Sequence, residues 1–178
     1  MADTFTFNEN ANPKVKTEKI KYYYNLGTSS NPEWELQGRG VENWTQEMGA
    51  DIEKTKDVLG YVDMERSDPE PTQSGVVIKL RKGSKFAEKV AEAEYTGDWS
   101  FFNSMEILKK YEFVDGKTTT KCKAKLEKDV MITINNMTAE AGSYIQYEVD
   151  INYANNFVLG EMDKVDGEII KFTPDSAA

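Results

Sequence analysis

The stretch YIQYEVDINY, Tyr144 to Tyr153, alternates apolar and polar side chains along its whole length. Successive side chains of an extended chain point to opposite faces, so Ile145, Tyr147, Val149, Ile151 and Tyr153 share one face. Tyr144, Gln146, Glu148, Asp150 and Asn152 share the other. A strand with one apolar and one wet face belongs to an antiparallel sheet that covers a core from one side only.

Other segments follow the same rule. In "IKYYYNL" the residues Ile20, Tyr22, Tyr24 and Leu26 fall on one face, which forces Tyr23 onto the opposite one. Tyr23 is therefore the aromatic expected to make a contact outside the core. "GTSSNP" supplies a turn, "EWELQ" returns as a hairpin strand, and Gly38 and Gly40 mark a bend or bulge. "GVVIKLRKG" is a short apolar strand. "MEILKKYEFV" turns at Asp115-Gly116 into "KCKAKLEKDVMITIN", where Val130, Ile132 and Ile134 alternate. "NFVLGEM" and "EIIKFTP" close the series around Asp166-Gly167.

One helix is expected over 84–96. Ser84 is placed to cap "KFAEKVAEAEY", Gly97 to end it, and Phe86, Val90 and Ala93 form a stripe too narrow for anything but the flank of a sheet. Short strands at regular intervals with one helix predict a mainly β protein: an antiparallel sandwich or partly open barrel over 19–174. A polar arm (1–18) and a short tail (175–178) complete the chain.

Two segments are too polar for a covered sheet. "VENWTQEM" and "DIEKTKDV" read as a strand pair around Gly49-Ala50. In the second, Ile52 and Val58 share a face with Lys54 and Lys56, while Asp51, Glu53, Thr55 and Asp57 occupy the other. One face must look at water. "VLGYVDMERSDPEPTQSG", 58–75, lacks apolar periodicity and is expected as one long loop, unusual because loops beyond about 12–15 residues are uncommon in compact domains.

Composition narrows the function classes. The chain has 178 residues, and 39% of them are apolar, enough for a core. Its 22 basic and 31 acidic residues leave a net charge of −9, which opposes tight binding to phosphate backbones. A lone cysteine, Cys122, allows no internal disulfide and is expected as a half-buried strand residue. No basic segment followed by an apolar run opens the chain, and no stretch approaches the roughly 18 apolar residues of a membrane span. The chain is therefore expected to be a soluble product of the cytoplasm with no membrane anchor.

Catalytic and metal chemistry find little support. Histidine is absent, which removes the commonest general base and the commonest transition-metal ligand. "DKVDGE" (163–168) lacks calcium-loop spacing, and no glycine-rich loop precedes the helix. No catalytic residue, cofactor or metal site is expected. Glu148 and Asp150, two apart on one strand face, are the one carboxylate pair a glycosidase could use, and a solvated strand face is the simpler account. Trp34, Trp44 and Trp99 with Tyr22–Tyr24 could form a sugar-binding platform, although such rings more often anchor cores and interfaces. The sequons at Asn43 and Asn136 carry meaning only in a secreted chain.

"YYYNLGTSSNPEWELQGRGVENWTQEM" resembles the opening of tail tube proteins from long-tailed, siphovirus-like bacteriophages. The likeness spans 20–174 and rests on the order and spacing of Gly27, Pro32, Trp34, Gly38 and Gly40. It implies hexameric rings stacked into a tube, a continuous inner β-barrel, the helix outside, and DNA passing through without specific binding. Implied partners are further copies of the chain, a tape-measure protein, a tail terminator and tail-tip or baseplate proteins, all in the virion tail. Tubes of contractile tails, phage-like bacteriocins and secretion systems are similar and stand as the alternative; a carbohydrate-binding sandwich is a remoter one. On this reading Asp51, Glu53, Asp57, Glu148 and Asp150 are candidates for an acidic lumen. Segment 58–75 is then an assembly arm, with Leu59, Tyr61, Val62 and Met64 as anchors, and Pro69 and Pro71 as stiffeners.

Overall fold

The structure, a computed structural model, describes residues 5–11, 14–38, 45–56, 58–165 and 170–175. The strands are β1 (Ile20–Asn25), β2 (Trp34–Leu36), β3 (Thr45–Glu47), β4 (Ile52–Lys56), β5 (Val62–Arg66) and β6 (Thr72–Lys79). The helix α1 (Lys85–Thr96) follows, then β7 (Met105–Asp115), β8 (Lys121–Thr138), β9 (Gln146–Asn152), β10 (Asn156–Asp163) and β11 (Phe172–Pro174). Among the described residues the paired strands run antiparallel.

Two layers share one strand. The first runs β2-β1-β7-β8-β10-β11 and the second β3-β6-β9-β8. β8 is 18 residues long, and pairs with β10 as far as Lys128, with β7 as far as Val130 and with β9 from Met131 onward. The crossover sits at Asp129, whose φ of 55° lies in the left-handed region. Its carboxylate accepts from Ser104 Oγ at 3.1 Å and Asn156 Nδ2 at 2.6 Å, fixing the kink from both sides. A β-branched residue tolerates that backbone poorly. Asp129→Val is expected to cost about 1–3 kcal/mol and Asp129→Asn much less, as read from urea midpoints.

The main core lies between the layers. Tyr22, Tyr24, Met105 and Ile107 of the first meet Val76, Ile78, Ile132, Tyr147, Val149 and Ile151 of the second. α1 plugs one flank with Phe86, Ala87, Val90 and Ala93, and Tyr24 stacks on Phe86 with ring centroids 4.1 Å apart. Ser84 caps the helix by accepting from the Ala87 amide at 3.2 Å, and Gly97 ends it at φ 73°. Glu35 of β2 takes hydrogen bonds from Ser84 Oγ (2.6 Å) and the Phe86 amide (3.1 Å). A carboxylate at the positive end of the helix thus ties α1 to the first sheet. None of the described helices is long and apolar enough to cross a membrane.

Several expectations need correction. β3 pairs with β6, not with the segment after Gly49-Ala50, and β4 pairs with β5 as a separate two-stranded sheet. Segment 58–75 is no single loop: it holds all of β5 and the start of β6. Every residue of β4 and β5 is exposed, so their sequence carries no core-facing signature to betray a strand. The arm over 1–18 is partly docked: Phe7 bridges Val114, and the Asn8 amide donates to the Phe113 carbonyl at 2.9 Å. Tyr23 does lie opposite Tyr22 and Tyr24, yet it is only 2% exposed. A second small core of Leu108, Cys122, Ala124 and Met162 covers it inside the subunit. Cys122 is fully buried rather than half-buried. The Asp166-Gly167 turn lies outside the described residues.

Candidate functional site

The second layer turns its apolar face to the core and its polar face outward. Register puts Asn152 between Thr72 and Met131, Asp150 across from Thr133, Glu148 between Val77 and Asn136, and Gln146 between Lys79 and Thr138. β3 adds Thr45 opposite Ser74 and Glu47 opposite Thr72. At these register positions the outward face carries amides, hydroxyls, the carboxylates Glu47, Glu148 and Asp150, the cation Lys79, and the apolar Val77 and Met131.

Both β9 carboxylates have partners. Asp150 Oδ1 accepts from the Gly75 amide and Oδ2 from Asn135 Nδ2, each at 2.8 Å. Glu148 Oε2 accepts from Asn136 Nδ2 at 2.9 Å. They share one sheet face, as the alternation of β9 predicts. Asp51 and Glu53 are elsewhere, on the β4–β5 hairpin, and Asp57 lies outside the described residues. The four described acidic candidates, Asp51, Glu53, Glu148 and Asp150, therefore divide between the hairpin and the sheet face.

Two edges of this layer are open among the described residues. β3 pairs on one side with β6, and β8 from Met131 to Thr138 pairs on one side with β9. A cleft of about 290 Å³, lined by Trp99, Asn103 and Met131 to Ile134, runs beside the β8 edge.

The hairpin projects from the end of the layer where β3 and β6 meet. Its register, Ile52↔Arg66, Lys54↔Met64 and Lys56↔Val62, gives one face of apolar and basic residues. The other face is acidic, with Glu53 directly opposite Glu65 and Thr55 opposite Asp63. Ile52 is 63% exposed and Met64 66%, and Val62, Leu59 and Tyr61 are exposed as well. Pro69 and Pro71 sit at the base, not mid-arm. Pro71 is buried and its carbonyl accepts from the Tyr153 amide at 3.1 Å, clamping the hairpin root to the end of β9. At the opposite end of the layer Met137, Tyr144 and Ile145 are also exposed. That second patch escaped sequence reasoning because Met137 lies near the end of β8, while Tyr144 and Ile145 precede β9.

Gly27, Pro32, Trp34 and Gly38 build the first hairpin. A Cβ on Gly27 would meet the Asn31 carbonyl oxygen at 2.4 Å, so only glycine fits. Trp34 packs half-buried against the second core, Pro32 is exposed, and Gly38 adopts φ 129°. Gly40, Asn43 and Trp44 lie outside the described residues. Among the described residues no cluster of His, Cys, Asp or Glu could hold a metal ion.

No family model matches the chain, and no curated protein matches its sequence. Among solved structures the chain is similar in fold to a chain of an extracellular contractile injection system, the PVC sheath/tube terminator in its extended state. The TM-score is 0.51 over 82% of this chain and 95% of that one, with 7% of residues identical. The PVC sheath–tube complex in the extended state gives 0.49 over 86% and 97%, also at 7% identity. The likeness is one of fold.

Proposed function

We propose that the protein is a non-enzymatic structural subunit that closes into rings and stacks into the tube of a tail-like machine. The observation that carries this is the β4–β5 hairpin. A two-stranded hairpin is marginal alone in water, and here its apolar side chains stand exposed at one end of a sheet whose other end also exposes Met137, Tyr144 and Ile145. Unlike ends that each need covering suit head-to-tail stacking, which generates a filament.

The open edges of the second layer fit lateral closure. In the order β3-β6-β9-β8 all neighbours are antiparallel, so β3 and β8 run in opposite directions. Copies rotated about an axis along the strands then bring β8 beside the next copy's β3 in antiparallel sense. Closure removes both edges, the usual hazard of an unpaired sheet. The tail tube resemblance makes six the expected number of copies. The wet face of Glu47, Glu148, Asp150, amides and hydroxyls then lines the bore, where it repels phosphate within about 8 Å at physiological salt and lets DNA slide. The hairpin acids Asp51 and Glu53 enter that lining only where rings meet.

The fold shared with the PVC terminator chain favours a second reading of the machine rather than of the subunit: the tube of a contractile injection system. Either machine supplies tape-measure, terminator and tip or baseplate partners.

Negative-stain electron microscopy of concentrated protein at moderate salt tests the proposal, and hollow tubes of stacked rings are expected. Asp51 and Ser67 face each other, with the Ser67 amide donating to the Asp51 carbonyl at 2.9 Å, so residues 52–66 can be replaced by a tight Asn-Gly turn. That variant should fold, keep a cooperative unfolding transition and the β signal of the remaining strands, and form single rings at most. Full-length tubes from it would sink the stacking role of the hairpin. A strictly monomeric wild type that binds sugars would favour the lone carbohydrate-binding sandwich.

A further inference from the structure

Each strand flanking β9 carries one extra residue near the same level. On β6 the register steps from Gln73↔Ile151 to Val76↔Val149, leaving an extra residue at Ser74-Gly75 opposite Asp150. On β8 it steps from Ile134↔Val149 to Asn136↔Glu148, leaving Asn135 as the extra residue. Gly75 has φ 64°, the left-handed conformation that one common bulge type requires. The Asp150 carboxylate reaches both bulges, taking the Gly75 amide on Oδ1 and the Asn135 side-chain amide on Oδ2, each at 2.8 Å.

We propose that Asp150 is a positioning residue that clamps this pair of bulges and so sets the curvature of the second layer. Bulges bend a strand and increase its twist, and paired bulges across one central strand coil a sheet at a defined place. Resting on the ring proposal above, the inference adds a determinant to it. The angle at which β8 meets the next copy's β3 fixes how many copies close a ring, and Asp150 holds that angle. The carboxylate is suited to this because it accepts on two oxygens at once from groups on opposite sides of β9. An alanine accepts nothing, and an asparagine offers one carbonyl oxygen.

Two measurements on the full chain test this: hydrogen exchange of the Gly75 amide in the dispersed protein, and ring diameter by electron microscopy. Asp150→Ala is expected to speed exchange at Gly75 by at least about tenfold with the core amides of β9 still protected. Its rings should spread over several diameters or remain open arcs, and Asn135→Ala should give a milder spread. Lys79→Gln changes one charge on the same face, on the interior strand β6 and away from both bulges, and its rings should keep the wild-type diameter. Uniform wild-type rings from Asp150→Ala would overturn the proposal, as would an equal spread from Lys79→Gln, which would assign the effect to charge. If wild type forms no rings, the ring proposal falls with its consequence for curvature, and unchanged Gly75 exchange in Asp150→Ala would then remove the clamp as well.

Discussion

Glu127→Ala is expected to cost the folded chain about 3–5 kcal/mol, the penalty for stranding a buried charge by deleting its partner. Glu127 on β8 and Lys109 on β7 face the main core, and their side chains are 2% and 3% exposed. Lys109 Nζ lies 2.9 Å from Glu127 Oε1 and 3.7 Å from the centroid of the Tyr153 ring. Lys125 Nζ is also 2.9 Å from Glu127 Oε1, but its side chain is 21% exposed and can turn to water. Lys109 cannot. Burial already holds its ammonium below the usual lysine range, and the neighbouring Glu127 opposes that shift. Domains of this size are stable by about 5–15 kcal/mol in total, so the single variant should be close to unfolding at room temperature.

The double variant Lys109→Met/Glu127→Leu separates this account from simple loss of packing. Replacing a whole buried pair by apolar groups of similar volume is often neutral or stabilising by roughly 1–4 kcal/mol. The urea midpoint should therefore fall steeply for Glu127→Ala and return to wild type or above for the double variant. A loss below about 1 kcal/mol for Glu127→Ala would mean that water reaches the pair.

The sequence made some of this plain and hid the rest for definable reasons. β9 was legible because one face packs on the core and the other does not, so alternation survives in the residue types. α1 was legible because Ser84 and Gly97 are local signals that act through their own backbone. Tyr23 was half legible: alternation put it on the outer face, but its cover of Leu108, Cys122, Ala124 and Met162 comes from strands remote in the chain. β5 was invisible because both its faces are exposed, and a strand without a buried face has no hydrophobic period. The Asp150 clamp was equally hidden. Gly75 within "TQSGVV" hints at a bulge, but its partner Asn135 is 60 residues away by number, and only the pairing of β6, β9 and β8 unites them. The described candidate lumen residues, chosen by charge and strand alternation, therefore lie on two surfaces, the sheet face and the hairpin, because alternation within a strand does not say which sheet the strand joins.

Raising the pH above 10 should unfold the isolated chain within roughly two pH units. Burial raises the phenol of Tyr111 to about 12, and pushes Tyr22, Tyr24 and Tyr153 further in the same direction. The Tyr24 and Tyr153 hydroxyls have no hydrogen-bond partner among the described residues, so a phenolate there would meet no donor. In the unfolded chain all four lose their protons near pH 10. A folded-state value above the unfolded one contributes stability that is complete below pH 10 and is lost as pH climbs towards the folded value. Each ring removes about 1.4 kcal/mol per pH unit in that window, and four together remove about 5 kcal/mol per unit. Lys109 acts the other way. Its lowered value lets the folded state gain stability as pH rises towards about 10.4, where an unfolded lysine loses its proton, but one group cannot offset four. The tyrosinate absorption of these rings should therefore appear together with the loss of the far-ultraviolet β signal, in one cooperative step. Reversible ionisation of every ring near pH 10 with the β signal intact would show that water reaches the space between the two layers, and would remove the basis for the Lys109–Glu127 prediction at the same time.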